Sequence, residues 1–199
     1  MRYQTLLSPI MVGGQIIKNR LTYPNASPHF LQGPETFPAE GYRAFAANLA
    51  KNGAAIVNFA EWAEYPQQRM GPMDMDMTHM QAFDMTDPAV HNYVSQMCEE
   101  VHFYGSKIIL TTSLAYPEGF TLYGGRGMGP HGKPTEKLPV ERMHEVVELT
   151  VAKLRRYRNL GYDGVSFRAD MLMSPGGQRD DQYDGGTVEN RTRLFHEVC

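Results

Sequence analysis

The residues able to do chemistry gather in a few stretches of the chain. The most distinctive is Asp180-Asp-Gln-Tyr-Asp-Gly-Gly-Thr-Val-Glu-Asn-Arg191. Read by itself it is an acidic loop, a Gly-Gly turn and a helix start, with Thr187 as cap and Glu189 in the first turn. A rigid loop-to-helix joint explains it at least as well as direct catalysis. Gly127-Met-Gly-Pro-His-Gly132-Lys133 fits the dinucleotide glycine pattern and most of a phosphate loop. Both matches fail on context. Pro134 stands where a Ser or Thr would hold magnesium, and the stretch lies inside a long loop instead of joining a strand to a helix. Met70, Met73, Met75, Met77, Met80 and Met85 crowd one loop and could be read as a soft Cu(I) site. Thioethers at this density more commonly give adaptable packing over a pocket or partner. Asp74-Met-Asp76 does not begin a calcium loop, because His79 replaces the glycine and Met85 the final carboxylate. The 7 histidines show no spacing of three or four, so no helical zinc pair is possible and no metal is expected. His102 and His144 fall within helices and are expected to face solvent or pack. His29, in Asn25-Ala-Ser-Pro-His-Phe30, follows the first strand and is the histidine placed to line a site.

Four short β-branched or apolar runs must position these groups, at 20–23, 54–59, 107–112 and 163–167. Between them the spacing predicts helices. Residues 40–52 carry Tyr42, Phe45, Ala46, Leu49 and Ala50 on one stripe, with Gly53 as C-cap. Residues 87–104 open on Thr86-Asp87-Pro88 and close at Gly105; residues 140–160 close at Gly161. A fourth helix starts near Thr187 and runs to the C-terminus. The order is strand then helix, four times over, which predicts an α/β fold with a parallel sheet. Two phrases, Lys51-Asn-Gly-Ala-Ala-Ile-Val and Asn159-Leu-Gly-Tyr-Asp-Gly-Val, repeat the form of helix end, glycine, buried strand. Connections after each strand are long, and those after each helix are expected to be only a residue or two. Long loops on one side of a parallel sheet point to a site at the strands' C-terminal ends.

Composition sets the class. The 199 residues suffice for a sizeable core, and 42% hydrophobic with 21% charged residues argues against intrinsic disorder. A formal charge of −3 argues against a nucleic-acid or polybasic membrane surface. Cys98 and Cys199 cannot build a disulfide framework. The first ten residues hold no apolar run, and no stretch approaches the ~18 apolar residues of a membrane span. The expectation is a cytoplasmic protein with no membrane and no nucleic-acid partner.

With these features in view, the chain resembles the Old Yellow Enzyme family of NADH:flavin oxidoreductases and ene-reductases. The family's Asp-Glu-Tyr-Gly-Gly-Ser-Leu-Glu-Asn-Arg signature is similar to Asp181-Gln-Tyr-Asp-Gly-Gly-Thr-Val-Glu-Asn-Arg191, with one inserted residue. Leu7-Ser-Pro-Ile with Lys18-Asn-Arg20 resembles the family's opening, where a short lid precedes the first strand. Gly105-Ser-Lys-Ile and Gly161-Tyr-Asp-Gly-Val resemble the starts of its third and fourth strands.

The resemblance implies a (β/α)8 TIM barrel holding FMN at the C-terminal face. NADH or NADPH would reduce the flavin, which passes hydride to an activated alkene, a small-molecule substrate. By position, Pro24, Asn25, Ala26 and Ser27 would contact the flavin after the first strand, and Ala60 or Glu61 after the second. His29 joins the substrate-binding set. Thr111 stands where the family has a glutamine that hydrogen-bonds the flavin pyrimidine ring, so a short hydroxyl replaces a donor–acceptor amide. Where the fourth strand ends in the family's His-x-x-His or His-x-x-Asn, this chain reads Arg168-Ala-Asp-Met171. Arg168 keeps donor capacity and adds charge, and could hold an anionic group or the flavin. Met171 cannot donate. These departures imply a different substrate or reduced activity.

Length is the larger departure. A full barrel takes about 250 residues, and only four strand–helix units are present. The expectation is that residues 1–199 are the N-terminal part of a single FMN-binding barrel, a half-barrel that needs its C-terminal half or a homo-oligomeric partner. The end at Cys199, inside a helix, reads as a cut. The alternative is a catalytically degenerate barrel relative that serves as a binding or assembly module.

Overall fold

A computed structural model describes residues 3–25, 38, 40–60, 87–121, 136–167 and 187–199. Their elements run α1 (Gln4–Leu7), β1 (Ile10–Val12), β2 (Gln15–Ile17), β3 (Thr22–Tyr23), α2 (Glu40–Lys51), β4 (Ile56–Ala60), α3 (Pro88–Phe103), β5 (Lys107–Thr112), β6 (Phe120–Thr121), β7 (Glu136–Lys137), α4 (Met143–Asn159), β8 (Gly164–Phe167) and α5 (Val188–Val198). They divide into two compact units. The first holds the described residues up to 60 with 87–111 and 157–166; the second holds 112–121, 136–156, 167 and 187–199.

The first unit is a sheet in the order β3-β4-β5-β8. β3 with β4 and β4 with β5 are parallel, in a register that pairs Tyr23 with Val57 and Ala60 with Thr111. Alternation along a strand sends successive side chains to opposite faces. On one face Val57 and Phe59 of β4 and Ile108 and Leu110 of β5 are fully buried. They meet Tyr42, Ala46 and Ala50 of α2 and Val90, Val94, Met97 and Val101 of α3, residues three or four apart and therefore on one side of each helix. Each large side chain so buried stabilises by about 1.5–3 kcal/mol. The opposite face carries Ile56, Asn58, Ile109 and Thr111, of which Thr111 is buried and the others half-buried.

One device ends three helices. Gly53, Gly105 and Gly161 adopt φ of 105°, 67° and 110°. Each donates its N–H three residues back, to Ala50, His102 and Arg158. The next residue donates five back: Ala54 to Leu49, Ser106 to Val101, and Tyr162 to Tyr157. This is the Schellman arrangement, which glycine adopts without Cβ strain. It turns each chain straight into a strand, so the repeated phrase in the sequence encodes a repeated joint. α3 starts as its sequence predicts, with the Asp87 carboxylate accepting from Ala89 N–H at 2.8 Å and Pro88 in the first turn.

The second unit has its own core of Leu114, Leu138, Met143, Val146, Leu194 and Val198. β6 and β7 form a parallel two-stranded pair. The Lys153 ammonium, on α4, donates to Ser113 O at 2.7 Å, and Ala115 N–H donates to Thr150 Oγ1 at 3.0 Å. Thr187 caps α5 by accepting from Asn190 N–H at 3.2 Å, as expected.

Several expectations are corrected. The helix-to-strand joints span 52–55, 104–106 and 160–163, longer than a residue or two, because the Schellman turn needs that length. A β1–β2 hairpin precedes the repeats; Gly13 and Gly14 at φ of 54° and 77° form its turn, which a Gly-Gly pair favours and apolar periodicity does not mark. A 3-10 turn at Val140–Arg142 precedes α4. β8 is not buried on both faces, since Val165 is 40% exposed. No described helix is long and apolar enough to cross a membrane.

Candidate functional site

The parallel strands deliver their last residues to one edge. β3 ends at Tyr23, and Pro24 and Asn25 follow it, both exposed. β4 ends at Ala60, which is the register partner of Thr111 on β5. Pro24, Asn25, Ala60 and Thr111 thus all lie at the C-terminal ends of three adjacent strands. Ala26, Ser27, His29, Glu61, Arg168 and Met171 lie outside the described residues, as do the methionine-rich loop, the 127–133 glycine stretch and the acidic loop before Thr187.

Thr111 does not stand alone. Its hydroxyl donates to Asn58 Oδ1 at 2.6 Å across the β4–β5 pair. Asn58 alternates with the core residues Val57 and Phe59 and therefore lies on the sheet face away from them. Sequence reasoning missed it. The available signal was a polar amide inside the otherwise apolar run Ile56-Val57-Asn58-Phe59-Ala60. An amide in such a strand needs partners, since a half-buried polar group without them is costly.

The opposite edge is built for anchoring. Lys18-Asn19-Arg20 ties the N-terminal segment to the helix ends. Lys18 Nζ donates to Tyr104 O at 2.8 Å and Ala50 O at 3.2 Å, neutralising the C-termini of α3 and α2 together. Burial pushes the Lys18 ammonium below its ordinary pKa. Asn19 bonds Gly53 O and Leu21 N–H at 2.9 and 2.8 Å, and Arg20 Nη1 holds Thr5 O, Ser8 O and Ser8 Oγ. The motif that signalled a family opening is, physically, a clamp.

Asp163 is a second clamp. Its carboxylate accepts from Lys107 Nζ at 2.8 Å, Ile108 N–H at 2.9 Å and His102 Nε2 at 2.7 Å. Burial by itself pushes this carboxyl up, but Lys107, the Ile108 N–H and His102 outweigh it and hold it below the usual carboxylate range. His102 faces solvent on its helix, as expected, and its ring additionally engages Asp163. One helical turn earlier sits Cys98, buried, whose thiol burial pushes up to about 12 with help from Asp163 and Glu99. A thiol held protonated is not a nucleophile. Cys98, His102 and Asp163 lie close together without forming a catalytic triad.

An open groove along α5 is lined by Val188, Glu189, Asn190, Thr192, Arg193 and His196. It lies on one helix of the second unit, and its Arg193 is engaged by Glu197 at 2.7 Å. Among the described residues, no three His, Cys, Asp or Glu side chains gather to hold a metal ion.

No protein-family model matches the sequence. The fold, however, has solved counterparts. Old Yellow Enzyme from Pichia sp. AKU4542 matches with a TM-score of 0.71 at 18% identity, over 98% of this chain and 55% of its own. Morphinone reductase in complex with tetrahydroNAD matches with a TM-score of 0.70 at 19% identity, over 97% of this chain and 58% of its own. 2-Naphthoyl-CoA reductase in complex with 2-naphthoyl-CoA matches with a TM-score of 0.70 at 17% identity, over 98% and 33%. The chain spans a third to just over half the length of these structures. Its α/β fold with a parallel sheet is that of Old Yellow Enzyme and its structural relatives.

Proposed function

We propose that this chain is the N-terminal half of an FMN-dependent, ene-reductase-like oxidoreductase, with residues 1–199 forming part of one (β/α)8 barrel domain. The observation carrying the reading is that nearly the whole chain overlays on only part of each reductase it matches. The parallel sheet supports it, with Pro24, Asn25, Ala60 and Thr111 at one edge. The complement is a C-terminal half-barrel or a second copy of the chain, which would pair the β3 and β8 edges that lack neighbours among the described strands.

The residues present suit a flat, hydrogen-bonding ring system. Thr111 and Asn58 supply polar atoms for it. FMN, when bound, would accept hydride from NADH or NADPH and deliver it to an activated alkene. Pro24, Asn25, Ala26 and Ser27 would bound the ring on the β3 side, and Ala60 or Glu61 on the β4 side. Arg168 would hold the flavin or an anionic part of the substrate, and His29 would join the substrate-binding set. Met171 would contribute contact without a hydrogen bond.

The test is purification of the gene product at its natural length. Flavin is quantified by absorbance and identified after acid release, and NADH and NADPH oxidation is followed with an enone acceptor. Bound FMN and acceptor-dependent oxidation are expected. Where the complement is the C-terminal half, residues 1–199 alone should take up no flavin until it is added; flavin uptake by a dimer of residues 1–199 marks the second copy as the complement. A product that binds no flavin overturns the enzyme reading. One that binds flavin yet stays at background turnover is the degenerate module instead.

A further inference from the structure

The pair Asn58–Thr111 carries a chemical specificity that neither residue has alone. A threonine hydroxyl has one proton, and here that proton is donated to Asn58 Oδ1 at 2.6 Å. What remains on Thr111 is an acceptor. What remains on Asn58 is its Nδ2 amide, which is a donor. Among the described residues neither group makes another hydrogen bond. Both side chains lie on the face of the sheet away from the α2–α3 core, next to the strand end at Ala60. Two adjacent strands therefore present one acceptor and one donor side by side.

This inventory does not depend on how the Asn58 amide is turned. With its oxygen toward Thr111, the pair offers the Thr111 oxygen as acceptor and Nδ2–H as donor. With its nitrogen toward Thr111, it offers the Thr111 hydroxyl as donor and Oδ1 as acceptor. Each arrangement leaves one of each. A ligand edge that satisfies both must itself hold a donor and an acceptor on neighbouring atoms. An imide or lactam, –C(=O)–NH–, is that edge.

We infer that Asn58 and Thr111 together form an imide-reading element, in which Asn58 is a specificity-determining residue. Given the function proposed above, on which this inference rests, the edge read is the N3–H with a flanking carbonyl of the flavin pyrimidine ring. Two short side chains on adjacent strands thereby do the work of one long carboxamide. Asn58 acts directly through Nδ2 and also by holding the Thr111 hydroxyl in one orientation.

The test uses the gene product at its natural length, freed of flavin and titrated with FMN and with 3-methyl-FMN, which lacks the N3 proton. Flavin fluorescence quenching gives the two dissociation constants. Wild type should prefer FMN by about tenfold, the worth of one or two buried hydrogen bonds. N58A and T111V should each bring that ratio close to one, while T111S should keep it. The double variant N58A/T111Q should restore the preference, because one glutamine amide offers donor and acceptor together. A merely structural Asn58 would not be rescued in this way. If N58A does not fold, T111V against T111S decides. Equal affinity of wild type for the two flavins, or an unchanged ratio in T111V, overturns the inference and leaves the proposed function standing. Absence of binding to either flavin overturns both.

Discussion

The carboxylate of Asp163 and the ammonium of Lys107 meet at 2.8 Å where β8 begins beside β5. The same carboxylate takes the Ile108 N–H and His102, so one side chain joins the C-terminal end of α3 to two strands.

Acid should unlock this clamp. The folded carboxyl titrates below its unfolded value, so the stabilisation is complete above the unfolded pKa of about 4. It is lost as pH falls through the folded value. Thermal unfolding followed from pH 7 to pH 2 should show Tm falling below pH ~4 in wild type, and less steeply in D163N. At pH 7 the variant should lose about 1–2 kcal/mol, the lower range for a charge-assisted set open to solvent on one side. Parallel pH profiles for the two proteins would refute the assignment.

Lys18 touches two helix ends with one ammonium. Replacing it with Met keeps the stem and deletes the charge, leaving Ala50 O and Tyr104 O without this donor. A loss of about 1–3 kcal/mol in urea unfolding is expected. A surface-like effect below ~0.5 kcal/mol would mean the clamp does not hold the fold.

Glycines 53 and 161 separate backbone strain from packing. Both have positive φ, but a Cβ at Gly53 would meet nothing within 4 Å, whereas one at Gly161 would lie 2.9 Å from Cys98 Cβ. G53A should cost roughly 1–2 kcal/mol from the left-handed conformation alone. G161A should cost about 1–3 kcal/mol more, because two backbone-anchored carbons collide. C98A would not rescue it, since alanine retains the offending Cβ. Equal destabilisation of G53A and G161A would contradict the close approach.

The two cysteines should differ in reactivity. Cys199 is exposed, and Cys98 is buried with its thiol pushed up to about 12. Ellman's reagent at pH 8 should titrate one thiol at once and the second only with denaturant. Rapid modification of both would show that the α3–Gly161 contact opens.

Much of this molecule was written in local chemistry. Apolar spacing in 40–52 and 87–104, the Asp87 and Thr187 caps and the glycines after each helix specify their elements within a few residues of themselves, because helix periodicity and capping are short-range. Alternating strand and helix likewise predicted the α/β class. The C-terminal strand ends that carry Pro24, Asn25, Ala60 and Thr111 followed from that order. What the sequence left open depends on pairing between distant segments. Asn58 reads as an anomaly in an apolar strand until β4 and β5 are in register and its amide meets Thr111, 53 residues away in sequence. His102 reads as one polar helix residue among others until Asp163 arrives beside it, 61 residues on. Lys18 reads as part of a motif until two helix ends converge on its ammonium. A hydrogen bond selects its partner by distance and angle in space, so only the tertiary structure decides it.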